Sequence, residues 1–170
     1  FGFQVSRAYN ELHLTAPDNM LAFYKDGLYH VRRRCESVTC EPDRIVSVWK
    51  PLDDVTVETK LRLCEGGHIR KHTITSKIAC RAAEGGFALP MRDPDETHQI
   101  EGDGGLLQAG IENGFGISRL TLLKGTGKPG RTECEPNVNL LYPRTAVPYF
   151  EYEIPVGVTE IEIFVEGITK

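Results

Sequence analysis

The sequence predicts an all-β fold, an antiparallel β-sandwich with little or no helix. Three observations carry this. Apolar residues recur with a period of two, as in Val55, Val57, Thr59, Leu61 and Leu63 alternating with Thr56, Glu58, Lys60 and Arg62. Turn-forming clusters punctuate the chain at short intervals, and 17 glycines and 10 prolines supply them. No window carries the sustained 3.6-residue stripe of an amphipathic helix.

The expected strands follow in order at 12–15, 21–24, 29–33, 44–50, 55–63, 68–80, 116–124, 149–154 and 158–165. The last repeats the alternation of 55–63, with Ile161, Ile163 and Val165 opposed to Glu160, Glu162 and Phe164. Between strands stand Pro17-Asp18-Asn19, Asp26-Gly27, Pro51-Leu52-Asp53-Asp54, Gly66-Gly67, Gly85-Gly86 and Gly125-Thr126-Gly127. Residues 93–105 are polar and acidic and read as the longest loop. Many strands at this spacing, without repeats or linkers, predict one sandwich domain over 1–170.

Charge and composition narrow the function. Twenty Lys and Arg against 24 Asp and Glu leave a net charge of −4, and the longest basic run is Arg32-Arg33-Arg34, which argues against a nucleic-acid surface. No apolar stretch approaches the roughly 18 residues of a membrane-spanning helix. Five cysteines, an odd number, include no C-x-x-C pair. The chain also lacks an N-x-S/T sequon, and both features lean towards a reducing, cytoplasmic setting. It opens on Phe1-Gly2-Phe3 with no initiator Met, so it is expected to be the C-terminal fragment of a longer protein.

Several motifs resolve into ordinary structure. Gly125 to Gly130 matches G-x-G-x-x-G, but Pro129 and the polar run after it cannot open the helix a dinucleotide site requires, which leaves a glycine-rich hairpin loop. Asp93, Asp95, Glu96, Glu101 and Asp103 lack the glycine at the sixth position and the flanking helices of an EF-hand, so a solvated acidic loop is expected. No cofactor motif, nucleophile elbow or P-loop is present.

The run His68-Ile69-Arg70-Lys71-His72-Thr73-Ile74-Thr75 is the most informative. Its β-branched residues favour a strand. On a strand the two imidazoles lie about 13 Å apart, too far to share one metal ion. The phase places His68, Arg70, His72, Ile74, Ser76, Ile78 and Cys80 on one face. Titratable groups in line with a core face either line a covered cleft or bind two layers together by hydrogen bonds. Arg144 follows Pro143, and its planar fork suits a carboxylate; an internal pair of Arg144 or Arg81 with Glu84 is the alternative.

Taken in order, His68-x-Arg70-x-His72, Arg81, Glu84-Gly85-Gly86-Phe87-Ala88 and Asn139-Leu140-Leu141-Tyr142-Pro143-Arg144-Thr145 resemble the C-terminal part of a large, formerly uncharacterised family of bacteria and fungi. Phe1-Gly2-Phe3, Pro17-Asp18-Asn19-Met20-Leu21 and Ser47-Val48-Trp49-Lys50-Pro51 extend the resemblance over nearly the whole chain. Members pair an N-terminal α/α-toroid with a C-terminal β-sandwich, an architecture resembling heparinase-like lyases and uronic-acid glycosidases. The resemblance implies an accessory sandwich, inactive alone, whose partners are the toroid of the same protein and an acidic oligosaccharide. The alternative is a free-standing module binding carbohydrate or protein, against which the scarcity of exposed aromatics weighs.

His72 and Glu84 are the candidate catalytic residues, histidine being the side chain that titrates near neutrality. Trp49, His68, Arg70, Arg81 and Arg144 are the candidates for binding substrate or the partner domain. One departure stands out: the family usually has Trp immediately before the His-x-Arg-x-His run, whereas this chain has Gly67.

Overall fold

The computed structural model describes residues 21–30, 35–91, 96–102, 104–134 and 144–170. The expected strand at 12–15 and part of that at 29–33 lie outside these residues, as do Asp93, Asp95 and Asp103 of the acidic loop. Fourteen strands are described: β1 (Leu21–Lys25), β2 (Leu28–His30), β3 (Cys35–Cys40), β4 (Arg44–Leu52), β5 (Val55–Cys64), β6 (Gly67–Ser76), β7 (Cys80–Gly85), β8 (Leu89–Met91), β9 (His98–Ile100), β10 (Gln108–Asn113), β11 (Gly116–Lys124), β12 (Lys128–Cys134), β13 (Arg144–Ile154) and β14 (Gly157–Thr169). Their order is β12-β13-β7-β1-β2 in one sheet, with β8 also paired to β13, and β3-β4-β5-β6-β14-β11-β10-β9 in the other. The fold is the expected antiparallel sandwich.

Alternation decides which side chains enter the space between the sheets. From the larger sheet come Val55 and Val57 of β5, Ile74 of β6, Leu120 of β11, and Ile161, Ile163 and Val165 of β14. From the smaller sheet come Leu21 and Phe23 of β1, Ala82 of β7, and Phe150, Tyr152 and Ile154 of β13. Trp49 of β4 meets Phe23 edge-on, with ring centroids 6.1 Å apart, and closes the core where β1 crosses β4.

Four expectations need correction. The run 68–80 is not one strand: it breaks after Ser76 and resumes at Cys80 in the opposite sheet. The Ser76 hydroxyl donates to the Ile78 carbonyl at 2.6 Å and accepts from the Ile78 amide, so a local side-chain turn replaces the ladder. Strand β4 runs through Pro51 and Leu52, because a register shift between Trp49 and Leu52 absorbs the proline that cannot donate to the ladder. The glycine run at 125–127 does not close a hairpin but carries the chain from β11 in one sheet to β12 in the other. Within the expected loop 93–105, residues His98–Ile100 pair with β10 as a short edge strand.

Gly67 owes its place to close backbone approach. A Cβ there would stand 2.0 Å from the Val165 carbonyl oxygen of the neighbouring strand. Any larger residue at this position would therefore displace β14.

Candidate functional site

Strand β6 alternates strictly between buried and partly exposed residues from Gly67 to Ile74, with His68, Arg70, His72 and Ile74 all pointing into the sandwich. The phase read from the sequence is borne out over the length of the strand. Glu84 faces them from β7 and is wholly buried; it pairs in register with Leu21 of β1 and Phe150 of β13.

The resulting network spans both sheets. His72 Nε2 lies 2.9 Å from Glu84 Oε1. Arg70 Nε is 3.2 Å from the same oxygen, an ion-pair distance without hydrogen-bond alignment, and its Nη2 donates to the Gly85 carbonyl at 3.1 Å. Tyr152 donates weakly to Glu84 Oε2 at 3.4 Å. On the far side of the imidazole, the Thr59 hydroxyl lies 2.9 Å from His72 Nδ1 and accepts a 2.9 Å hydrogen bond from Trp49 Nε1. A continuous polar chain thus runs from Trp49 through Thr59, His72 and Glu84 to Arg70 and Tyr152. Its members fix one another's orientation in surroundings of low dielectric.

Burial alone would raise the Glu84 pKa, but the charges of His72 and Arg70, with hydrogen bonds from His72 and Tyr152, outweigh it and hold the carboxyl below its ordinary value. Burial pushes the Tyr152 phenol well up, and the Glu84 charge adds to the effect. His68 stands beside the network, edge-on to the Phe87 ring at 5.9 Å. Its burial, and secondarily the Arg70 charge, lower its pKa to about 4.

Acid should therefore weaken the fold in a defined window. The folded chain keeps His68 neutral down to about pH 4, whereas the unfolded chain protonates it below its ordinary value of 6.5, so stability falls as pH drops between these limits. Glu84, lowered in the folded state, acts in the same direction once pH falls below 4.5. Urea unfolding at about pH 7 and about pH 5 should differ by about 1–2 kcal/mol with an unchanged m-value. Equal midpoints would contradict the buried, neutral His68.

The structure thus gathers five of the seven candidates: Trp49, His68, Arg70, His72 and Glu84. Arg81 is on the opposite face of β7, exposed, with its guanidinium 4.5 Å over the Tyr24 ring. The backbone of Arg144 pairs with Met91 at the start of β13, and its side chain lies outside the described ones. Thr59 and Tyr152 were missed as members of the network. Thr59 was legible in principle, because it shares the phase of Val55 and Val57. Among the described residues no group of three His, Cys, Asp or Glu side chains is arranged to hold a metal ion.

Two antiparallel sheets closed over a buried Arg-Glu-His cluster define an all-β sandwich domain. The chain belongs to the DUF2264 C-terminal domain family, whose profile matches residues 1–169. Its fold is similar to part of the heparan sulfate lyase HepC from Pedobacter heparinus, with a TM-score of 0.55 and 10% identity over 89% of this chain and 24% of the lyase. It is likewise similar to part of 4-alpha-glucanotransferase from Thermococcus litoralis, with a TM-score of 0.52 and 13% identity over 88% of this chain and 27% of that enzyme. The chain spans about a quarter of the length of these solved structures. A comparison with curated proteins gives no match. The expected likeness to heparinase-like and glycosidase-like proteins therefore holds at the level of the fold.

Proposed function

We propose that the chain is the accessory C-terminal sandwich of a carbohydrate-active enzyme acting on uronic-acid-containing sugars, and that it packs against an N-terminal α/α-toroid. The observation that carries this is an apolar surface on the wrong side of a sheet. Val38, Ile45 and Leu63 are 52%, 45% and 60% exposed. By register they share the core-facing side of β3, β4 and β5 with Arg70, His72 and His68. The smaller sheet leaves them uncovered, and apolar groups so placed beside a core suit burial against another domain.

In this proposal Arg70, His72 and Glu84 lock the two sheets together rather than turn over substrate. Their burial supports that role: Glu84 is 0% exposed, and it joins His72 and Arg70 of the larger sheet to its own sheet. The full-length protein should cleave uronic-acid oligosaccharides and the 170-residue chain should not; turnover by the isolated chain would overturn the accessory role. In the full-length protein, Arg70→Ala and His72→Ala should lower thermal stability while activity per folded molecule persists. If activity falls first with stability intact, His72 and Glu84 are catalytic.

A further inference from the structure

The outer face of the smaller sheet carries a cleft of about 320 Å³ lined by Tyr24, Arg81, Thr126, Lys128, Glu151 and Glu153. Register sets Tyr24, Arg81 and Glu153 in one row across β1, β7 and β13. Lys128 and Glu151 stand side by side on β12 and β13 in the next row. Arg81, Thr126, Lys128 and Glu153 are exposed and Glu151 is half-buried. The Arg81 guanidinium carbon stands 4.5 Å over the centroid of the Tyr24 ring, a contact that uses the charge but none of the N–H donors.

Three features specify the ligand. Two cations and two carboxylates balance, so the cleft exerts no net pull on an anion. Lys128, Glu151 and Glu153 form no ion pair with a described residue, which leaves donors and acceptors of both kinds unengaged. The main-chain groups of β7 from Arg81 to Glu84 are paired on both sides, to β1 and to β13, so a peptide cannot add to that strand. A concave site with a few convergent polar groups of both kinds suits vicinal hydroxyls, each of which donates and accepts.

We propose that this cleft is a saccharide subsite for a neutral sugar ring, with Glu151 and Glu153 accepting from hydroxyls while Arg81 and Lys128 donate to hydroxyl and ring oxygens. It rests on assigning the chain to a carbohydrate-active enzyme and adds a contact site distinct from the buried Arg70–Glu84 network, with its charged groups on the other face of the sheet.

The test is a two-dimensional NMR titration of the 15N-labelled 170-residue chain with cellobiose, maltotriose and xylobiose, with glucuronic acid in parallel. Saturable shifts of the Arg81 side-chain Nε–H and of β7 and β13 amides are expected from at least one neutral sugar, with a dissociation constant on the order of 1 mM. Added salt should leave them unchanged, because hydroxyl recognition is not screened as charge pairing is. Arg81→Ala and Glu153→Gln, both at exposed positions, should each weaken binding about tenfold or more while the remaining spectrum is preserved. No shift from any neutral sugar at about 10 mM would overturn the proposal. So would shifts from glucuronic acid alone that vanish in salt, or shifts surviving both substitutions. Each of these failures leaves the comparison of full-length and isolated chains free to succeed.

Discussion

Glu84→Ala should destabilise the chain by about 3–5 kcal/mol, because it strips the shared carboxylate from two buried partners at once. Arg70 and His72 are 4% and 2% exposed, so neither can recover hydration where it stands. The guanidinium would keep only its hydrogen bond to the Gly85 carbonyl, and the Tyr152 hydroxyl would lose its acceptor. The truncated side chain also leaves a void between β7 and β6, adding the loss of dispersion contacts to the electrostatic cost. For a domain of this size the change corresponds to a fall in Tm of roughly 6–20 °C. Glu84→Gln preserves the volume and isolates the charge; it should recover part of the loss but not the ion pairing. A fall of less than about 1 kcal/mol for Glu84→Ala would mean that the network is relaxed or hydrated.

Phe150→Ala should cost a similar amount, about 3–5 kcal/mol, by a different mechanism. Phe150 is fully buried on β13, in register with Glu84, and tilts against Tyr152 with centroids 6.2 Å apart. Its removal opens a cavity at the centre of the smaller sheet, where the strands on both sides are hydrogen-bonded and cannot collapse inward. Chemical denaturation should show a lower midpoint with the m-value unchanged, because the folded topology persists. It should also loosen the packing around Tyr152 and hence its reach to Glu84, so the apolar and polar halves of the core are coupled.

Much of this arrangement was legible in the chain. The alternation of Val55, Val57, Thr59, Leu61 and Leu63 and that of Ile161, Ile163 and Val165 marked two central strands, because one face of each is buried and register cannot slip. The same logic aimed His68, Arg70 and His72 inward. Strands β3, β7, β8, β9, β10 and β12 are absent from the expected set: β8 and β9 are three residues long, and Lys128-Pro129-Gly130-Arg131 on an edge carries a proline and no apolar alternation. The pairing of His72 with Glu84 was also hidden, since it joins opposite sheets and depends on how they stack rather than on any local spacing. Arg81 was grouped with Glu84, yet an offset of three on a strand is odd and puts the two on opposite faces. That parity separates the exposed cleft from the buried lock, and sequence spacing alone contained it.

The most direct test of the lock between the sheets is a double-mutant cycle on Arg70 and Glu84, read by urea unfolding. Arg70→Met leaves the buried Glu84 with His72 alone and Glu84→Leu leaves Arg70 buried without its counter-charge, and each should cost about 3–5 kcal/mol. The double variant removes both charges and should cost clearly less than the sum of the two single changes, with a coupling energy on the order of 2–3 kcal/mol. Additive losses, with coupling within about 0.5 kcal/mol of zero, would contradict the lock and show that the two sheets are held together by apolar packing alone.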